Sequence, residues 1–371
     1  MKISGVTSYH LPGTRYPWVF LRIETDEGVH GVGQVSSGPN SPVVAAAVSR
    51  LGPLLVGEDP GRLEYLWQKL YTSFSSLGSL GFVSAIISGV DIALWDIRGK
   101  VLGRPIYDLL GGRFREDLRL YSNGWFAGCN TPAEFAAAAR RTVEVGHSAI
   151  KLDPFRLHRA ELQRHGASYD PVDELEAVRI IAAIREAVGP GVEILIDAHG
   201  RFDVPTAIRL ANALAPYRIG WFEEPVPPEN PDALRQFRDR CEVPVCVGER
   251  LYTRWQFRPI LEQKLADYIM PDVIRTGGIS ELKKIATMAE AFFIPVSPHD
   301  ATGPITLIAG AQVMMTTPNF YRLEIAYSEL DHYNRAMTPA FDVRDGRFHV
   351  SDRPGLGHDL SDEYLRQAVP F

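Results

Sequence analysis

Six polar residues, Asp197, Glu223, Glu249, Asp272, His299 and Glu324, stand 26, 26, 23, 27 and 25 residues apart. Each closes a short apolar run: EILID, WFEE, VPVCVGE, YIMPD, IPVSPH and FYRLE. Carboxylates ligate hard cations and move protons, and an imidazole beside a carboxylate makes a general base. The recurring step is the length of one strand, one helix and two loops. A repeating β/α unit with a polar residue at each strand end is how a (β/α)8 barrel builds an active site.

The spacing puts Asp197, Glu223 and Glu249 at the ends of the third, fourth and fifth strands, which are neighbours in a parallel sheet. Three carboxylates brought that close repel one another unless a cation sits among them. Oxygen donors alone, with room for water or substrate, favour Mg2+. Any one of these acids alone is as readily an ion-paired or solvated strand end; three in register argue against that. Either member of the Glu223-Glu224 pair fits the metal position by charge. His299 and Asp272 end strands seven and six, so the carboxylate can fix the imidazole tautomer and support the imidazolium. Glu324 ends strand eight and, if protonated, donates to a developing oxyanion; its competing reading is an ordinary ion pair. His199 lies two residues past Asp197 and shares its side of the strand, as a second acid–base group, a substrate contact or a loop hydrogen bond. Lys151 and Asp153 have the same relation on strand two. A lysine there suits an anionic oxygen, and Asp153 suits substrate hydroxyls or Lys151 itself.

The elements that must position these groups fall into three sections. Residues 1–118 read as an α+β domain: strands KISGVTSYHL, WVFLRIETDEG and VHGVGQV, then helical patterns ending in VSAIISGVDIALWDIRGKVLG, which Gly103 and Pro105 stop. Residues 119–329 read as eight strands, each but the last followed by a helix, which predicts an α/β fold with a closed parallel barrel. Thr131 and Pro132 open the first barrel helix as N-cap and first residue. The stretch 330–371, with strand-like FDVRDGRFHV, is expected to complete the N-terminal domain. Between Lys151 and Asp197 the step is 46 residues, and the excess is an insertion from Pro154 to Asp170 that carries His158, Arg159, Arg164, His165 and Tyr169. It follows a barrel strand and is placed to cover the mouth as a lid.

Composition narrows the partners. A net charge of −6 without a basic stripe argues against nucleic acid and anionic membranes. No apolar run reaches the roughly 20 residues of a membrane span. Three cysteines do not make a disulfide framework, Cys246 reads as a small core residue, and a reducing cytoplasmic setting is expected.

On these residues the chain resembles the enolase superfamily, in its mandelate racemase branch. KISGVTSYHLP and ALWDIRGKVLGRPIYDLLGG resemble the family's N-terminal capping domain. The resemblance implies Asp197, Glu223 and Glu249 as Mg2+ ligands, which assigns Glu223 over Glu224. It further implies Asp272 and His299 as an Asp–His dyad and Glu324 as the electrophilic glutamate. Within the branch the chain is most similar to sugar-acid dehydratases of the D-galactonate type, through FLRIETDEGVHGVG, DAHGRF, GERLYTRWQF, MAEAFFIPVSPH and GPITLIAGAQ. There His199 is implied as the acid that protonates the departing hydroxyl.

Racemases of the branch carry Lys-x-Lys on strand two; here the second position is Asp153, which disfavours two-base racemisation. The expected reaction is Mg2+-dependent loss of water from an aldonate such as galactonate or gluconate, giving a 2-keto-3-deoxy acid. His299 removes the α-proton, and Lys151 and Glu324 support the charge. The alternatives are an acid-sugar epimerase or cycloisomerase, and a non-catalytic barrel that keeps its metal site. The resemblance also implies a homo-oligomer. PGTRYPWVF and VSSGPNSP are expected to face substrate.

Overall fold

Strands β1 (Ile3–His10), β2 (Trp18–Thr25) and β3 (His30–Ser37) form an antiparallel meander, with Gly28 supplying the left-handed residue of the β2–β3 turn. The near-continuous apolar start of β2 has a structural reason: both its faces are covered. Val19, Leu21 and Ile23 pack with helices α1 (Ser41–Leu51), α2 (Leu63–Ser73) and α3 (Phe82–Leu102). Trp18 and Phe20, on the other face, join the large core of the C-terminal part. This computed structural model describes residues 1–10, 17–37, 41–76, 78–155 and 166–370.

Helix α3 lies unusually close to β3. A Cβ on Gly33 would overlap the carbonyl oxygen of Gly89, and one on Gly31 would overlap that of Ala93. The alternating glycines of VHGVGQV thus let a helix backbone rest on a strand. Asp96 of α3, fully buried, accepts hydrogen bonds from Val32 N at 3.1 Å, Leu356 N at 2.9 Å and Lys100 Nζ at 2.7 Å. One carboxylate so ties the N-terminal sheet, its own helix and the C-terminal segment. Gly103 closes α3 in the left-handed region, as its position predicts.

After the short helix α4 (Ile106–Leu109), the chain alternates. β4 (Leu118–Asn123), α5 (Pro132–Glu144), β5 (Ala149–Leu152), α6 (Pro171–Val188), β6 (Glu193–Asp197), α7 (Val204–Leu214), β7 (Trp221–Glu223) and α8 (Pro231–Arg238) make the first half. β8 (Val245–Val247), α9 (Thr253–Glu262), β9 (Tyr268–Ile269), α10 (Val273–Thr276), α11 (Gly278–Ala291), α12 (Pro304–Met314) and β10 (Leu323–Ala326) follow. Thr131 caps α5 in a reciprocal box with Glu134. Neighbouring strands are parallel, and β10 pairs with β4, which closes the barrel. The seventh strand, IPVSPH, is reduced to bridges from Val296 to Ile269 and Phe320. Pro295 and Pro298 flank it and lack the N–H that a longer ladder needs.

The strand period of two builds the interior in storeys. Tyr121, Ala149, Leu195, Trp221, Cys246 and Met270 form an apolar cluster of their own. Two residues further on, the strands carry Asn123, Lys151, Asp197, Glu223 and Asp272. A greasy layer therefore underlies the polar one.

The C-terminal segment divides between the two parts. α13 (Leu330–Ala336), β11 (Met337–Thr338), the hairpin β12 (Asp342–Arg344) and β13 (Arg347–His349), β14 (Asp359–Leu360), α14 (Asp362–Gln367) and β15 (Val369–Pro370) complete the chain. The hairpin pairs with β4 of the barrel, whereas β15 pairs with β1.

The parts are also joined through α2, α3 and the start of α11. Asp91 accepts from Ser280 N at 2.9 Å and Ser280 Oγ at 2.6 Å, Trp67 Nε1 donates to Gly277 O at 2.8 Å, and Gly277 N donates to Ser88 Oγ at 2.9 Å. Gly33→Ala should destabilise the protein by about 1–3 kcal/mol, the range for overpacking a tight contact. Urea unfolding followed by circular dichroism checks this; an unchanged midpoint would contradict the α3–β3 contact.

Candidate active site

Asp197 and Glu223 are the last residues of their strands and Glu249, Asp272 and His299 follow theirs, whereas Glu324, expected to end strand eight, is the second residue of β10 and reaches the same group by its side chain, 2.9 Å from Lys151. Asp197, Glu223 and Glu249 are buried, and one carboxylate oxygen from each lies within 4.8 Å of the other two. Glu224 is directed elsewhere. Its backbone is left-handed (φ 42°), and its carboxylate accepts from Gly248 N at 2.9 Å. Three hard oxygen donors from adjacent strands, confined and mutually repelling, suit a divalent cation.

Lys151 stands beside this group. Its Nζ is 2.9 Å from Glu223, 2.9 Å from Glu324 and 3.8 Å from Asp197, with 1% of the side chain exposed. Burial opposes its charge, but Glu223 and Glu324 outweigh burial and raise its pKa well above the ordinary value. Burial, reinforced by Asp197, drives Glu223 the other way from ionisation and lifts its carboxyl well above the usual range. Glu324 is also buried, but Lys151 and His299 outweigh desolvation and hold its pKa low. Asn123 Nδ2, at 2.8 Å, and Asp300 N, at 3.2 Å, donate to it as well.

Asp272 uses its two oxygens for different tasks. Oδ1 accepts from Ile274 N at 2.9 Å and so caps α10; Oδ2 lies 2.8 Å from His299 Nδ1. The helix start fixes the carboxylate, and the carboxylate fixes the imidazole. His299 Nε2 then faces Glu249 at 3.1 Å and Glu324 at 3.9 Å. Burial disfavours the imidazolium, but Glu324, Glu249 and the bond to Asp272 overcome it and raise the His299 pKa. Burial likewise opposes ionisation of Glu249, and His299 and Arg250 reverse it to below the carboxylate range.

His199 reaches the triad from the other end. Its Nε2 is 3.3 Å from Asp197, and its Nδ1 is 3.2 Å from Asp153. Partial desolvation opposes its charge; Asp197 and the bond to Asp153 outweigh it and push the pKa up to about 9. Asp153 partners His199, Arg201 and Phe155 N. The lid expectation for the 154–170 insertion falls largely on residues 156–165, outside the described residues, as do residues 12–16 and 38–40 of the two stretches expected to face substrate. At the far end of the insertion Tyr169 is buried against Phe155 and Phe202.

Comparison with known proteins agrees with this geometry. Residues 8–111 match the N-terminal domain model of mandelate racemase / muconate lactonizing enzyme, and residues 134–364 match the enolase C-terminal domain-like model. The chain belongs to the enolase superfamily. Among its superfamily relatives, D-galactonate dehydratase of Pectobacterium atrosepticum is 37% identical over 373 residues, 98% of this chain and 94% of that one. D-xylonate dehydratase of Haloferax volcanii is 35% identical over 350 residues, covering 93% and 84%. A crystal structure of an enolase superfamily member from Salmonella Typhimurium superposes with a TM-score of 0.94 at 32% identity, covering 100% and 99%. The fold is that superfamily's: a (β/α)8-type barrel with an N-terminal α+β capping domain.

Reading by strand-end spacing passed over several residues of this enolase-superfamily site. Asn123 ends the first strand, and the strand-end rule applied there would have found it. Arg201 contacts Asp153 and His199, Arg250 pairs with Glu249 at 2.7 Å, and Arg275 donates to Glu249 O at 2.7 Å. Trp221 donates to Glu223 at 3.1 Å from the storey below.

Removing Lys151 would leave Glu223 and Glu324 without their nearest counter-charge. Lys151→Met should cost about 3–5 kcal/mol in chemical unfolding of protein freed of divalent ions, the range for breaking a buried ion pair from one side. A cost under about 1 kcal/mol would contradict the pairing as the main charge balance at the mouth.

Proposed function

We propose that this chain dehydrates an acid sugar: it takes the proton α to the carboxylate of an aldonate and expels the C3 hydroxyl as water, giving a 2-keto-3-deoxy acid. One observation carries the reading. Two imidazoles approach the carboxylate triad from opposite ends, His299 through Glu249 and His199 through Asp197. β-Elimination of water needs two proton-transfer sites, one to accept the C2 proton and one to protonate the departing oxygen. The similarity to D-galactonate and D-xylonate dehydratases supports the same class of substrate.

Asp197, Glu223 and Glu249 would hold Mg2+, whose chemistry when bound is Lewis-acid stabilisation of charge that develops on a substrate carboxylate. The chain's own groups do the rest. Lys151 keeps its ammonium and meets the substrate's negative charge. His299, oriented by Asp272 through Nδ1, accepts the C2 proton at Nε2. Burial would raise the Glu324 pKa, and Lys151 and His299, helped by the hydrogen bond from Asn123, hold it low. When Lys151 turns to the substrate, Glu324, fully buried, takes up a proton from solvent and donates a hydrogen bond to the forming enediolate oxygen, keeping its proton as the carboxylate re-forms. His199 gives its proton to the C3 hydroxyl as the C3–O bond breaks. The resulting enol ketonises in solution. Racemisation by two facing bases is disfavoured, because Asp153 is committed to Phe155 N, Arg201 and His199.

The test is 2-keto acid formation across a panel of aldonates with Mg2+, D-galactonate, D-gluconate and D-xylonate included. Wild-type protein should form keto acid from at least one. His299→Asn should lower that rate by about 100-fold or more and leave Mg2+ binding intact. No keto acid from any panel member, in protein shown to bind Mg2+, would overturn the reading. C2 deuterium exchange without water loss would instead favour epimerisation.

A further inference from the structure

His199 is the exception among the ionisable groups at the mouth. Its side chain is 42% exposed, whereas that of His299 is 9% exposed. It also stands on left-handed backbone (φ 53°) and is followed by Gly200 at φ 61°. An exposed side chain on such a turn has rotamers that swing it into solvent, away from any substrate. Packing does not prevent this, so specific bonds must.

Those bonds are present on one edge of the ring. Nδ1 lies 3.2 Å from Asp153 Oδ2, to which it donates when protonated, and 2.9 Å from Arg201 Nη2, which can donate to it only in the tautomer that leaves Nδ1 bare. Both partners are themselves fixed. Asp153 Oδ1 accepts from Phe155 N at 3.0 Å, Arg201 Nε donates to Ala198 O at 2.9 Å, and the two side chains pair with each other. The His199 backbone N donates to Asp197 Oδ1 at 2.8 Å, which sets the turn. With Nδ1 so engaged, only Nε2 points at the triad, 3.3 Å from Asp197.

We propose that Asp153, accepting from Nδ1–H of His199 and itself held by Arg201, forms a clamp that keeps Nε2 toward the leaving hydroxyl, and that both Asp153 and Arg201 are positioning residues for the protonation step. The inference rests on the dehydratase reading above. In that step the Nε2–H bond breaks and its proton joins the C3 oxygen. The C3–O bond breaks with its electron pair on that oxygen, and the electrons freed at C2 form the C2–C3 double bond. The clamp touches neither the C2 proton nor His299. A misplaced His199 therefore slows water loss without slowing proton abstraction, and the enediolate returns to substrate by reprotonation at C2.

This makes the clamp separable from a mere staple between β5 and β6. Asp153→Asn keeps the size of the side chain, and Arg201→Lys keeps its charge but loses the planar fork. Each is assayed in D2O with Mg2+ and the aldonate from the panel that wild type dehydrates fastest. Keto acid formation and C2 deuterium in recovered substrate are followed together. The expected result is a fall in dehydration of about 10- to 100-fold, the scale for displacing a catalytic group by about 1 Å. Deuterium wash-in should continue near the wild-type turnover rate, with KM changed by less than about 3-fold. Wild type that dehydrates while both variants match it, or variants in which wash-in and dehydration fall together, would overturn the clamp alone. Wild type that dehydrates no panel member would overturn the dehydratase reading, and the clamp's role with it.

Discussion

The constraint on which this molecule turns is the concentration of buried charge at one end of its barrel. Asp197, Glu223, Glu249, Asp272 and Glu324 are all buried there, with Lys151 and His299 among them. Carboxylates out of water repel each other strongly, and burial alone would neutralise them. The structure resolves this unevenly. Glu249 and Glu324 have cationic neighbours and stay ionised, whereas Glu223, beside Asp197, is pushed toward its neutral form despite Lys151. The residual imbalance sits where the three strand-end acids converge, which is where a divalent cation does the most to relieve it.

Holding such a site requires a frame that does not yield. The apolar storey of Tyr121, Leu195, Trp221 and Met270 fills the barrel beneath the charges and excludes water from below. Above and beside it, the capping domain is fastened by buried polar groups: Asp96 to the C-terminal segment, and Asp91 to the start of α11. The α10–α11 region thus carries both a domain contact and Asp272, the partner of His299. Gln34 of β3 also donates to Thr302 O at 3.0 Å, just past His299. The mouth is therefore assembled from both parts of the chain, and the loop that carries His299 is held in part by the capping domain.

Much of this was legible in the amino-acid order, for physical reasons. Strand period and β/α length are local properties, so the positions of the six polar residues and the eight-unit closure could be read from spacing, although Glu324 is the second residue of β10 and does not end it. Neighbouring acids on parallel strands then implied a shared ligand. What could not be read depends on reach or on distant pairing. Glu223 and Glu224 differ by a left-handed backbone at Glu224, which charge does not announce. Arg201 and Arg250 lie in loops and Arg275 in the one-turn helix α10, where side-chain length decides the partner. The thinness of strand seven follows from Pro295 and Pro298, whose effect on pairing is clear only beside β9 and β10. The hairpin β12–β13 joins β4 by a contact across more than 220 positions, which no local pattern encodes.

The central claim is that one cation completes the charge balance of the Asp197, Glu223 and Glu249 cluster. Calorimetric titration of Mg2+ into protein stripped of divalent ions measures it most directly. The account predicts one ion bound per chain, and loss of that binding in Glu249→Gln with the fold intact by circular dichroism. Absence of binding in the wild type, or equal binding by the variant, would contradict it.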